Sequence, residues 1–129
     1  MPSSNIRTLE QERARQAWDN VQEVKVRGQS YEGEYKSLVK GTPALILTNG
    51  LIQTLAFLES KKKPHHLAVV RHLSGWVCQQ LKLTPNQLGK ELREGDSVLL
   101  RLATQESLAY LQWLRRFAEA TIEKEVEEH

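Results

Sequence analysis

Near its carboxy terminus the chain carries a run, Arg101 to Ala120, that only one kind of local structure accommodates. Leu108, Leu111, Leu114 and Ala118, with Ile122 just beyond, recur at three- and four-residue spacing and therefore share one face of an α-helix. Tyr110, Trp113 and Phe117 widen that face. A stripe this broad must be covered by several neighbouring helices, so the run constrains the chain to a packed helical domain.

Helix signals divide the rest into about six blocks with few strand signals. From Ile6 to Val26, Leu9, Ala14, Ala17, Val21 and Val24 keep helical spacing in a stretch free of glycine and proline, and Gly28 is expected to end it. A second helix is expected over Tyr31 to Lys40, with Tyr35, Leu38 and Val39 inward. Thr42 suits an N-cap and Pro43 the first helical position, which predicts a third helix running to about Ser60. Asn49-Gly50 within it reads in two ways. It is a β-hairpin turn, or Gly50 lets another helix approach its backbone while Leu47, Leu51, Leu55 and Leu58 continue the helical stripe.

Pro64 opens a fourth helix, whose stripe is Leu67, Val70, Leu73, Val77 and Leu81, extended by Trp76. Thr84-Pro85-Asn86-Gln87 has the form of a capping box and starts a short fifth helix ending near Gly95. Asp96 is expected to cap a further turn through Leu102, and Thr104 the long final helix. The prediction is a single compact all-α bundle of about six or seven helices over residues 1–129, with 121–129 an acidic tail that frays or extends the last helix.

Size fits this reading, since 129 residues with 40% hydrophobic and 26% charged side chains enclose one core. The longest apolar region, Ala44 to Leu58, is broken by Thr48-Asn49-Gly50 and Gln53-Thr54, and a membrane span needs roughly 20 apolar residues. The amino terminus lacks the features of a secretory signal. One cysteine, Cys78, precludes an internal disulfide and suits a reducing compartment, so the cytoplasm is expected. The net charge of +2 is uneven: the last eleven residues hold five glutamates against one lysine, which leaves 17 basic and 11 acidic residues, or +6, in the body. Such an excess favours phosphate backbones without dictating them.

Groups for catalysis are sparse. His65, His66, His72 and Cys78 are metal-ligand types, but six- and seven-residue separations on one helix miss the adjacent-turn geometry of a two-histidine zinc site. His65 and His66 are expected on an exposed first turn, with Cys78 as a small core residue. Histidine acid-base chemistry of the ribonuclease kind stays open, although no phosphate-binding glycine loop or acidic metal cluster accompanies it. No metal or cofactor is expected. The basic residues suggest three RNA-binding candidates: Arg7, Arg13 and Arg15 on the first helix, Lys61-Lys62-Lys63 at a helix end, and Arg115-Arg116 on the last helix. Arg115 and Arg116 can instead pair with Glu119 or Glu123, and the lysines can complement the carbonyl end of their helix. Trp18, Trp76 and Trp113 can stack on bases, but tryptophan on an apolar stripe serves more often as core.

Pro43, Ile46, Asn49-Gly50-Leu51, Ala56-Phe57 and Lys61, followed by Trp113-Leu114-Arg115-Arg116-Phe117-Ala118, form an ordered pattern over nearly the whole chain. With these motifs the sequence resembles the small helical subunit of the Cmr complex, the RAMP-module, type III-B CRISPR effector. It departs from the family pattern at Gly41-Thr42, where that pattern has an apolar residue ahead of the proline. The resemblance implies a noncatalytic subunit that stacks in several copies, partners other Cmr subunits, and lies along guide and target RNA in antiviral defence. Two other readings stand beside it: a stand-alone helical ribonuclease using His65, His66 and His72, and a helical adaptor that binds only protein.

Overall fold

The computed structural model describes residues 6–26 and 31–123. Six helices account for the fold: α1 (Leu9–Val26), α2 (Glu32–Asn49), α3 (Leu51–Lys61), α4 (Pro64–Leu81), α5 (Leu88–Glu94) and α6 (Ser97–Thr121). The described residues contain no strand. The all-α bundle is therefore as the periodicity predicts, with six helices. The Gly28 stop and the tail beyond Glu123 lie outside the described residues.

α2 and α4 form the middle of the bundle, with α3 and α5 packed on one side and α1 and α6 on the other. α1 and α6 run in the same direction, since Arg13 meets Glu106 and Trp18 meets Phe117. One core joins Ala17, Val21, Val24, Tyr35, Val39, Leu55, Leu73, Trp76, Leu111 and Leu114. Cys78 is buried in it, as expected of a small core side chain.

Several boundaries differ from the sequence reading. Pro43 does not start a helix. It lies inside α2, which passes through Gly41 and Pro43 and ends at Asn49. Proline inside a helix costs about 3 kcal/mol, and here tertiary burial outweighs it. Tyr35, Leu38, Val39, Thr42 and Ile46 stay in helical phase across the proline and are all buried. Thr42 acts as part of the helix, its hydroxyl donating to the Leu38 carbonyl at 2.7 Å instead of capping forward.

The break comes at Gly50, with φ 86° and ψ 160°, so glycine is needed there for its backbone. A Cβ added at Gly50 would meet nothing within 4 Å, which removes the close-packing reading, and the helices on both sides remove the hairpin. The chain changes direction here, so Leu47 falls out of the expected stripe and is exposed while Leu51, Leu55 and Leu58 are buried.

The capping boxes are also redistributed. Thr8 and Gln11 form one at the start of α1: the Gln11 amide donates to Thr8 Oγ1 at 3.1 Å, and the Thr8 amide donates to Gln11 Oε1 at 2.9 Å. The expected box at Thr84 does not form. Glu91 Oε2 accepts from the Thr84 amide at 3.1 Å, and α5 starts only at Leu88. Asp96 caps α6 as expected, accepting from the Leu99 amide at 2.9 Å. Thr104 caps nothing, because α6 runs unbroken past it and its hydroxyl bonds back to Leu100 at 2.7 Å.

Candidate nucleic-acid interface

The lysine run stands where α3 stops and α4 starts. Lys61 is the last residue of α3, Lys62 adopts a left-handed conformation (φ 56°, ψ 18°), and Lys63 is extended ahead of Pro64. All three are exposed. Lys61 Nζ lies 5.1 Å from the centroid of the half-exposed Phe57 ring, a cation-π contact that holds its charge over α3. The left-handed conformation disfavours a residue with a Cβ by about 1 kcal/mol. Lys62→Gly is accordingly expected to raise stability by about that amount while removing one cation, which thermal melting checks.

The arginines have different surroundings. Arg7 and Arg15 sit 3.8 and 3.7 Å from Glu12, as loose surface pairs. Arg115 lies 3.2 Å from Glu119 one helical turn on, and Arg116 is exposed beside it. Arg13 is committed elsewhere. Its Nε and Nη2 donate to the two oxygens of Glu106 at 2.6 and 2.9 Å, with side-chain exposures of only 19% and 12%. Trp76 Nε1 donates to the same carboxylate at 2.7 Å. Burial alone would raise the Glu106 carboxyl, but the Arg13 and Trp76 hydrogen bonds outweigh it and hold it below its ordinary value. Arg13 thus ties α1 to α6. The lysine run and the arginine groups lie on opposite sides of α2 and α4, and the fold does not merge them.

A groove of about 630 Å³ opens beside α3, α4 and α5. Leu67, expected in the core stripe of α4, is turned out to line it instead; Val70 keeps its place half-buried against the core and borders the groove, together with Arg71, Lys90 and Arg93. Sequence reasoning does not single out these three cations. Lys90 and Arg93 are three apart on α5 and thus share a face, a signal the sequence carries; Arg71 is brought in only by the tertiary fold.

The histidines are not on an exposed turn. His65, His66 and His72 are all buried, because the first turn of α4 packs into the bundle and turns Leu67 outward. His72 bridges three helices. Burial holds the Tyr35 phenol well above its usual range, and its hydroxyl shares a 2.7 Å hydrogen bond with His72 Nδ1. His72 Nε2–H then donates to Glu23 at 2.8 Å, and Arg71 Nη2 donates to the same carboxylate at 3.0 and 3.2 Å. Both ring nitrogens are engaged within the bundle. Among the described residues, no group of three or more His, Cys, Asp or Glu side chains could hold a metal ion.

Of the tryptophans, Trp76 is core, stacked on Tyr110 with 5.1 Å between centroids and 8° between planes. Trp113 is half-buried against Phe117, and Trp18, 42% exposed, meets Phe117 edge-on at 5.2 Å.

Fold and surface together define a small all-helical protein whose lysine turn faces solvent and whose His65, His66 and His72 are buried. No helix among the described residues is long and apolar enough to cross a membrane. The family profile described as "CRISPR-associated protein (Cas_Cmr5)" matches residues 9–121, and the chain belongs to the Cmr5 family. It is 33% identical over 119 residues to the CRISPR system Cmr subunit Cmr5 of Thermus thermophilus, covering 92% of this chain and 100% of that one. The crystal structure of a CRISPR-associated Cmr5 family protein from Thermus thermophilus is similar throughout, with a TM-score of 0.77, 33% identity, and coverage of 92% of this chain and 100% of that one.

Proposed function

We propose that this Cmr5-family protein is a noncatalytic structural subunit of the cytoplasmic type III-B Cmr effector. It stacks in several copies beside other Cmr subunits and helps hold guide and target RNA through phosphate contacts in antiviral defence. The observation that carries the RNA contact is the exposed Lys61–Lys63 run at the α3–α4 turn. Three consecutive cations exceed what one helix terminus requires, and an ammonium binds phosphate without reading sequence, which leaves selection to guide pairing. Arg7, Arg15, Arg115 and Arg116 are secondary candidates on the α1–α6 side, whereas the Arg13 guanidinium is occupied by Glu106.

A noncatalytic role is supported by His72, since a general base needs a ring nitrogen available to substrate and both of its nitrogens are taken by Tyr35 and Glu23. Cleavage of RNA by the purified protein that disappears with His72→Ala would favour the ribonuclease reading.

The direct test is Lys61→Glu with Lys63→Glu in the reconstituted effector. Assembly should survive, target-RNA affinity should fall, and the slope of log affinity against log salt should shrink by about 0.7 for each single-strand phosphate that is no longer neutralised. Unchanged affinity with an unchanged slope would leave the lysine run merely solvated, as in a protein-only adaptor.

A further inference from the structure

The groove beside α3, α4 and α5 combines an apolar floor with a cationic rim. Leu55, Leu67, Val70 and Leu88 line the floor; Lys90 and Arg93 carry the charge against the lining carboxylate Glu59, while Arg71 at the edge is already paired with Glu23. Leu67 is 41% exposed, a large apolar side chain left open at the surface. Arg93 lies folded back along α5, its Nη1 3.4 Å from where a Cβ on Gly89 would stand. A surface of this kind fits an acidic segment with interspersed apolar side chains.

The chain itself contains such a segment. Residues 119–129 hold five glutamates and one lysine, and Val126 stands between Glu125 and Glu127. α6 delivers the segment on the side away from the groove. Ile122 is seated in the core, its carbonyl accepts from Lys36 Nζ at 2.8 Å, and Glu123 lies beside Lys25 and Glu32. The α2–α4 layer separates that end from α3 and α5. That layer stands between the end of α6 and the copy's own groove, whereas the groove of an adjoining copy is open to the segment.

We infer that the acidic carboxy-terminal segment of one copy docks in the α3–α4–α5 groove of the next. This inference rests on the stacking of copies proposed above and names the contact that joins them. Because the two patches differ, the contact is heterologous and can repeat from copy to copy. It leaves the Lys61–Lys63 turn outside the joint and available to RNA.

Carbodiimide cross-linking tests it, applied to a reconstituted Cmr complex that carries equal amounts of ¹⁴N- and ¹⁵N-labelled copies of the full chain. Isotopically hybrid peptides joining Lys90 to the Glu123–Glu128 stretch are the expected product. Arg93→Glu, which leaves the Lys90 amine in place, should lower their yield about tenfold. Glu125→Lys with Glu127→Lys and Glu128→Lys in the other copy should restore the association of Arg93→Glu chains, read as co-elution of the two labelled forms. Links from Lys90 to the acidic segment only within one isotope class would overturn the contact between copies. Hybrid links confined to other surfaces would overturn the groove assignment while stacking survived, and the absence of every hybrid link would remove stacking as well.

Discussion

Truncating Glu106 to alanine is expected to lower folding stability by about 2–3 kcal/mol, the cost of leaving a largely covered cation and the Trp76 N–H without their partner. Glu106 accepts two hydrogen bonds from Arg13 and one from Trp76, and all three are lost with the carboxylate. The loss would appear as a lower urea midpoint at unchanged slope. Glu106→Gln keeps the shape and one acceptor oxygen, so its loss should be smaller, about 1–2 kcal/mol. Arg13→Met combined with Glu106→Leu removes both charges and should recover much of what Glu106→Ala loses, because the desolvation of the guanidinium disappears with it. If Glu106→Ala instead costs no more than a surface substitution, the Arg13 guanidinium finds water in its place, and Arg13 rejoins the candidates for RNA contact.

The Arg13–Glu106 pair also shows where sequence reasoning stops. Residues 93 apart in the chain carry no local sign of meeting, so Arg13 reads as one of three solvent-facing arginines on an amphipathic helix. What is legible is periodic or local: the all-α class, the broad buried stripe of α6, the Asp96 cap and the burial of Cys78. The errors arise where two local rules compete. Pro43 carries a strong start signal, yet an unbroken buried stripe on either side of it keeps α2 continuous, and the break moves to the residue that alone tolerates φ 86°.

On α4, apolar character is a poor guide to burial. His65, His66 and His72 are buried on the inner face, His72 with polar partners from α1 and α2, while Leu67 is turned outward into the groove. Of the candidate interface, the exposed lysine turn can be read directly from three adjacent residues. Arg71, Lys90 and Arg93 cannot be read as a group, because α4 and α5 bring them together only through packing.

Stability should fall in acid through Glu23. Burial would raise this carboxyl, but hydrogen bonds from His72 and Arg71 lower it from 4.5 to about 2. The folded protein therefore binds that proton more weakly than the unfolded chain, so the stabilisation is complete above pH 4.5 and is lost as pH falls toward 2. Because the Glu23 side chain is a third exposed, solvent screens the network and the loss amounts to about 1–2 kcal/mol.

Urea midpoints measured between neutral pH and pH 3 on the wild type and on Glu23→Gln test this, the variant being less stable at neutral pH and the difference narrowing in acid. Curves that stay parallel would mean that Glu23 does not titrate in this window. Tyr35→Phe supplies the contrast. It removes the hydroxyl partner of His72 Nδ1 and should cost about 1–2 kcal/mol at every pH, but it leaves Glu23 bonded to His72 and Arg71 and so keeps the acid dependence.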